Sequence, residues 1–101
     1  MANHENIIGK KCIIRCDRAG VFFGTVASLE GREAELHDVR RLWSWSGATD
    51  CLQLAAEGVK NPNNCRFTVS VPMLVVTDAI EVTPCTAEAI RSIEGVKVWK
   101  I

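Results

Sequence analysis

The chain is predicted to fold as an α+β domain, a small antiparallel meander of about five to six strands carrying two short helices on one face. Three observations lead there. Between residues 10 and 45 apolar and polar residues alternate, and two tight turns, Asp17-Arg18-Ala19-Gly20 and Glu30-Gly31-Arg32, interrupt the alternation. From Leu52 to Val59 the period changes to the spacing of an amphipathic helix. A chain of 101 residues, 48% hydrophobic and 24% charged, makes one ordinary core with no room for a second. The alternative arrangement is a small, highly curved sheet closing toward a barrel.

The elements follow in order. Residues 1–8 are expected to be a flexible lead-in, with the domain over residues 9–101. Lys10 to Asp17 reads as the first strand, with Cys12, Ile14 and Cys16 on one face and Lys11, Ile13 and Arg15 on the other. Val21 to Leu29 is the second, and Gly24 in its middle suggests a bulge or the close approach of something to the backbone. Glu33 to about Trp45 is the third. Thr49 is the expected N-cap of a helix whose apolar face is Leu52, Ala55, Ala56 and Val59, and Gly58 ends it. Phe67 to Val71 reads as a strand ahead of Pro72, and Met73–Val76 and Asp78–Val82 add one or two more. Thr83, with Pro84 at the first helical position, is preferred to Thr86 as the start of a second helix that stops at Gly95. Val96 to Ile101 is expected to add a short closing strand.

Charge and cysteine usage narrow the function classes. Lys plus Arg equals Asp plus Glu at 12 each, so no global field draws the chain to nucleic acid or to an anionic membrane. Any anion site has to be local. No apolar run approaches the ~20 residues that cross a bilayer, and the first residues lack a signal-peptide pattern. The five cysteines contain no Cys-x-x-Cys pair, which suits small buried thiols in a reducing cytoplasm. His4 and His37 are too far apart to support a zinc site. His37 and Asp38, adjacent on a strand, point to opposite faces, and no nucleophile has a base at a useful spacing. The chain is therefore read as a non-enzyme with no metal and no cofactor. A domain this small is marginally stable alone, so a homo-oligomer is expected.

One cluster stands out. Val39 to Ala48 holds two arginines and two of the three tryptophans. Extended, it puts Arg41, Trp43 and Trp45 on one face and Arg40, Leu42 and Ser44 on the other. Indoles stack on flat rings and guanidinium groups pair with anions, so the combination suits a nucleotide. The expected ligand set is Arg15, Arg40 and Arg41 for phosphates and Trp43 or Trp45 for a base. Ser46, Gly47 and Thr49 stand at the helix entrance, where backbone N–H groups could meet an anion. The plain alternative is that both tryptophans are core or subunit contact.

Several segments together carry a resemblance: Ile14-Arg15, Arg18 to Val21, Gly24, the block Arg40-Arg41-Leu42-Trp43-Ser44-Trp45-Ser46-Gly47-Ala48, Leu52 to Gly58, and Thr77 to Thr86. Over residues 9–99 the chain resembles a family of small accessory proteins encoded by tailed phages and prophages. It departs from that pattern at Cys16-Asp17-Arg18, where members more often carry Thr-Tyr-Ser, and Arg18 is left out of the ligand set for that reason. The resemblance implies a protein of the infected cell's cytoplasm and does not itself supply an activity. By analogy with compact oligomeric phage proteins, the expectation is a counter-defence sponge that sequesters a cyclic or ADP-ribose-type nucleotide signal. The alternatives are inhibition of a host enzyme by protein contact, and single-stranded nucleic-acid binding.

Overall fold

Alternation of apolar residues folds Lys11–Cys16 (β1), Val21–Glu30 (β2) and Glu33–Ser44 (β3) into two successive antiparallel hairpins. In the computed structural model, which describes residues 4–101, Cys51–Glu57 (α1), Arg66–Phe67 (β4), Val71–Val76 (β5), Ala79–Pro84 (β6) and Ala87–Glu94 (α2) follow. The fold is α+β: a six-stranded antiparallel sheet, curled but not closed, and two helices.

The curl follows from connectivity. β5 borders β3, from Ala34↔Val76 to Val39↔Val71, while β6 borders β1 at the opposite edge. Only Thr77 and Asp78 separate β5 from β6, so the two edges have to approach each other. Cys12, Ile14, Phe22, Val26, Leu36, Val76 and Ala79, from five strands, fill the inside of the curl. Ile13, Phe23, Leu42 and Phe67 face the other way and pack on Leu54, Ala55, Val59 and Ile93 of the helical layer. Each fully buried Leu, Ile or Phe among them contributes about 1.5–3 kcal/mol. The radius of gyration, 12.6 Å, is that of a folded chain of this length, about 13 Å.

Gly24 marks the bend in β2. The pairing with β3 shifts register between Phe23 and Thr25, and a Cβ at Gly24 would lie 2.9 Å from Val39 Cβ. Both expected readings of this glycine are found together: an irregular ladder and a close approach.

Several boundaries differ from expectation. The strand expected over 67–71 is only Arg66–Phe67, and β5 runs straight through Pro72. A proline is tolerated there because β5 pairs with β3 alone and its other edge needs no donor. α1 is capped by Asp50, not Thr49: its Oδ1 accepts the N–H groups of Leu52 and Gln53, both at 3.1 Å. α2 starts from Thr86, not Thr83, because β6 continues to Pro84 to complete its pairing with Cys12. The closing strand is reduced to one parallel bridge between Val98 and Phe67. Of the expected lead-in, residues 1–3 lie outside the described residues. Residues 4–10 wind through turns, with Gly9 donating to Val26 O at 2.8 Å and Ile7 packed against the inside of the curl. Among the described residues no helix is long and apolar enough to cross a membrane.

Candidate functional site

The turn between β1 and β2 and the end of β3 enclose a hollow of about 430 Å³ lined by Arg18, Arg41, Trp43 and Trp45 over Gly20, Val21 and Leu42. Each side chain has a structural reason to be there. The turn is pinned by Asp78, whose Oδ2 accepts the N–H groups of Arg18 at 2.7 Å and Ala19 at 3.0 Å. Those hydrogen bonds, Arg18's first, hold the Asp78 carboxyl below its usual range. Arg41 has its backbone fixed on both sides by Thr68, which accepts from its N–H at 2.9 Å and donates to its carbonyl at 3.0 Å. Its guanidinium lies 4.9 Å over the Phe22 ring. No ion pair engages Arg18 or Arg41 among the described residues, and no carboxylate lines this hollow.

Trp43 is 59% exposed and stacks on Trp99, with ring centroids 6.1 Å apart and planes 15° from parallel. Arg66 sits 5.5 Å over the Trp99 ring. Trp99 is placed by its own N–H, which donates to Phe67 O at 2.8 Å. Trp43 therefore reaches the hollow as part of a pre-built stack. Trp45 is partly buried and leans on the helix-side core.

Two further hollows adjoin. One, about 490 Å³, shares Arg18, Ala19 and Arg41 and extends over Phe22 and Leu74–Asp78. The other, about 410 Å³, shares Val21 and Trp45 and extends to Arg15, Thr49, Asp50, Cys51, Leu52 and Glu81. The central hollow thus shares lining residues with one on either side, with Arg18 and Arg41 at the centre and carboxylates, Asp78 and Asp50 with Glu81, in the two flanking ones.

Of the eight residues the sequence points to, Arg41, Trp43 and Trp45 meet in the central hollow, and Arg15 and Thr49 join Trp45 in the flanking one. Arg15 faces Glu81 across the β1–β6 ladder, Nη1 to Oε1 at 3.6 Å, and the carboxylate beside it disfavours a phosphate there while leaving its N–H donors available. Arg40 is elsewhere. It is 7% exposed on the helix side, where Nε donates to Thr68 O, Nη1 to Ile93 O and Val96 O, and Nη2 to Phe67 O, at 3.0–3.2 Å. Every guanidinium nitrogen is committed to backbone carbonyls, which removes Arg40 from the ligand set. Burial pushes its pKa down.

The Ser46-Gly47 loop is also structural. Ser46 Oγ accepts from Asn61 Nδ2 at 3.1 Å, and a Cβ on Gly47, at φ +89°, would stand 2.6 Å from Lys60 N. The Thr49 N–H and hydroxyl both donate to Gln53 Oε1. With Asp50 occupying the next donors, the expected backbone anion site at the entrance of α1 is already filled by the protein's own side chains.

The grouping expected for Arg41, Trp43 and Trp45 is kept, since all three line one hollow, although regular pairing does not carry it to the end. β3 ends at Ser44 after a register shift beside β4, and Trp45 turns toward the helices. Sequence reasoning left out Arg18, Trp99 and Arg66. Arg18 carried a signal, being the second arginine beside the first turn, whereas nothing local brought Trp99 to Trp43.

Other chemistry is sparse. His37 Nε2 is 2.7 Å from Glu35 Oε2 at the surface. No group of three or more metal-binding side chains occurs among the described residues. The cysteines are free, and burial pushes the thiol of Cys12 up to about 11 and those of Cys16 and Cys85 up to about 12. Such thiols stay protonated and poorly nucleophilic at neutral pH.

The family model described as a domain of unknown function, DUF6948, matches residues 9–93, and the chain belongs to that family. No curated protein and no solved structure matches the chain.

Proposed function

We propose that this DUF6948 protein is a non-enzymatic binder that captures a small nucleotide in the groove at the rim of its sheet. The observation that carries the reading is the central hollow, where Arg18 and Arg41, without a carboxylate ion pair among the described residues, stand beside Trp43 and Trp45. Arg18 and Arg41 meet the phosphate, and an indole stacks on the base. Two charge-assisted contacts at about 1.5–3 kcal/mol each and one stacked base at about 1–3 kcal/mol amount to roughly 4–9 kcal/mol gross. A micromolar complex needs about 8 kcal/mol net. An open groove on one copy is thus a weak trap, and a second copy covering it supplies the remainder, which is why the binder acts as a homo-oligomer. On the strength of the sequence resemblance, its place is the cytoplasm of a phage-infected cell. Its role there is counter-defence: sequestering a cyclic or ADP-ribose-type nucleotide that signals immunity.

Calorimetric titration with cyclic mononucleotides, cyclic dinucleotides and ADP-ribose tests this, with sedimentation velocity reporting subunit number. Binding in the micromolar range or tighter that Arg41→Ala weakens at least tenfold supports it. No heat at micromolar protein with any of them refutes it.

A second reading has its own observation. Val69, Val71, Met73 and Val75 form an apolar row on and beside the edge strand β5, each at least 40% exposed. That row suits contact with a host protein. A stoichiometric host partner lost on Met73→Glu, with no nucleotide binding, favours inhibition by contact. Single-stranded nucleic-acid binding instead requires an affinity that falls steeply with salt.

A further inference from the structure

We propose that the groove selects guanine, with the Arg15–Glu81 pair reading the edge of the base. The inference rests on the nucleotide-binding reading above and adds a base identity to it.

The starting point is the polarity of the groove. Its centre holds two unpaired guanidinium groups, whereas the flanking hollow holds Asp50, Glu81 and an arginine already matched to Glu81. A phosphate is attracted to the centre and repelled by the flank. The other flank, over Phe22 and Leu74–Asp78, also carries a carboxylate, so charge alone sets no direction. Trp45, which lines the centre and the Glu81 hollow but not the Asp78 one, sets it, with phosphate at Arg18 and Arg41 and base toward Glu81. The two ends lie on opposite faces of the sheet, since Arg15 stands opposite Val21 on the helix side and Arg41 opposite Phe22 on the inside of the curl. A ligand that reaches both therefore passes round the strand ends, where Val21 and Trp45 line both hollows and Trp45 offers the base a surface to stack on.

The flank offers a defined set of hydrogen-bonding groups. Arg15 continues the helix-side face of Ile13, and Glu81 is its direct cross-strand partner. Both side chains are half exposed, and their one close approach is Nη1 to Oε1 at 3.6 Å, too long for a hydrogen bond. Each keeps its capacity: the guanidinium as a donor fork, the carboxylate as a two-oxygen acceptor. The pair reads as donor beside double acceptor. Guanine presents the complement, an O6 acceptor followed by the N1–H and N2–H donors. Adenine has one donor and one acceptor on that edge, and cytosine has one donor followed by two acceptors. Uracil sets carbonyl oxygens on both sides of its single N–H. The base that uses all three positions is guanine. ADP-ribose, whose only base is adenine, becomes the poorer ligand, and a guanine-containing cyclic nucleotide the better one.

The test titrates GMP, IMP, AMP and CMP into the full-length protein and into Glu81→Gln. IMP keeps O6 and N1–H and lacks the N2 amine, so it probes the second carboxylate oxygen with the protein unaltered. The expected order is GMP, then IMP, then AMP and CMP, with GMP on the order of tenfold or more tighter than AMP. In the Glu81→Gln protein, whose fold is checked by its thermal transition, the ratio of GMP to AMP affinity falls to about one. Equal binding of the four nucleotides, tighter binding of AMP, or a ratio that survives Glu81→Gln overturns the base assignment and leaves nucleotide capture standing. Absence of binding by all four and by the cyclic nucleotides overturns both.

Discussion

Replacing Arg40 by Met separates a structural cation from a ligand-binding one. Arg40 donates four hydrogen bonds to the carbonyls of Phe67, Thr68, Ile93 and Val96, and so ties β4 and the start of β5's approach to the end of α2. No carboxylate among the described residues neutralises it. Methionine has a similar reach without donors. Each buried carbonyl left without a partner costs about 1–3 kcal/mol, and relief from burying a charge offsets part of that. The costs are not additive, so the expected net loss is about 3–5 kcal/mol, near the upper end for single substitutions. For a domain of this size each kcal/mol lowers Tm by about 4–8 °C, which puts the transition roughly 12–40 °C lower. Thermal and urea unfolding followed by circular dichroism measure it. Nucleotide affinity, measured at a temperature where the variant is folded, is expected to stay within about threefold. A loss under about 1 kcal/mol would show that water satisfies these carbonyls as well as Arg40 does, and would refute the reasoning. A fully stable variant that no longer binds nucleotide would return Arg40 to the ligand set.

Three other expectations concern separate parts of the molecule. Asp78→Asn weakens the anchor of the β1–β2 turn. Because the folded carboxyl titrates below its usual value, the stability it contributes is complete above the ordinary Asp pKa near pH 4 and is lost as pH falls through the lowered folded value. Acid titration of unfolding free energy should therefore show a shallower fall below about pH 4 in Asp78→Asn than in the parent. The raised thiols act in the opposite direction: stability from keeping Cys12, Cys16 and Cys85 neutral is complete below about pH 9 and declines above it, toward folded values of about 11, 12 and 12. Native protein at pH 8 should leave these three thiols unlabelled by a disulfide reagent that modifies them at once in denaturant. Gly47→Ala forces a Cβ against the Lys60 backbone at positive φ, and a loss of about 2–4 kcal/mol by chemical denaturation is expected.

Patterns with a short period were legible from the residues alone. The first two hairpins were visible because alternation is a local rule and Gly20 and Gly31 end it at definite points. The helix over Leu52–Glu57 was visible for the same reason, although its cap was assigned one residue early because Thr49 and Asp50 are both good caps. The opposition of Arg40 to Arg41 also followed from the pleat, and it is real. Which of the two faced a ligand did not follow. That depended on α2 and residues 93–96, more than fifty positions away, delivering carbonyls to Arg40 and not to Arg41.

The linear chain determined the α+β class, the central meander and the concentration of indole and guanidinium groups before the first helix. Tertiary structure alone decided which of those groups share a hollow. It brought Trp99 onto Trp43, placed Arg18 beside Arg41, and set Glu81 against Arg15. The physical reason is range. Strand and helix periods are set by neighbours a few residues apart, whereas a binding groove is made where the sheet's curl and the return of β6 to β1 join segments with no sequence relation.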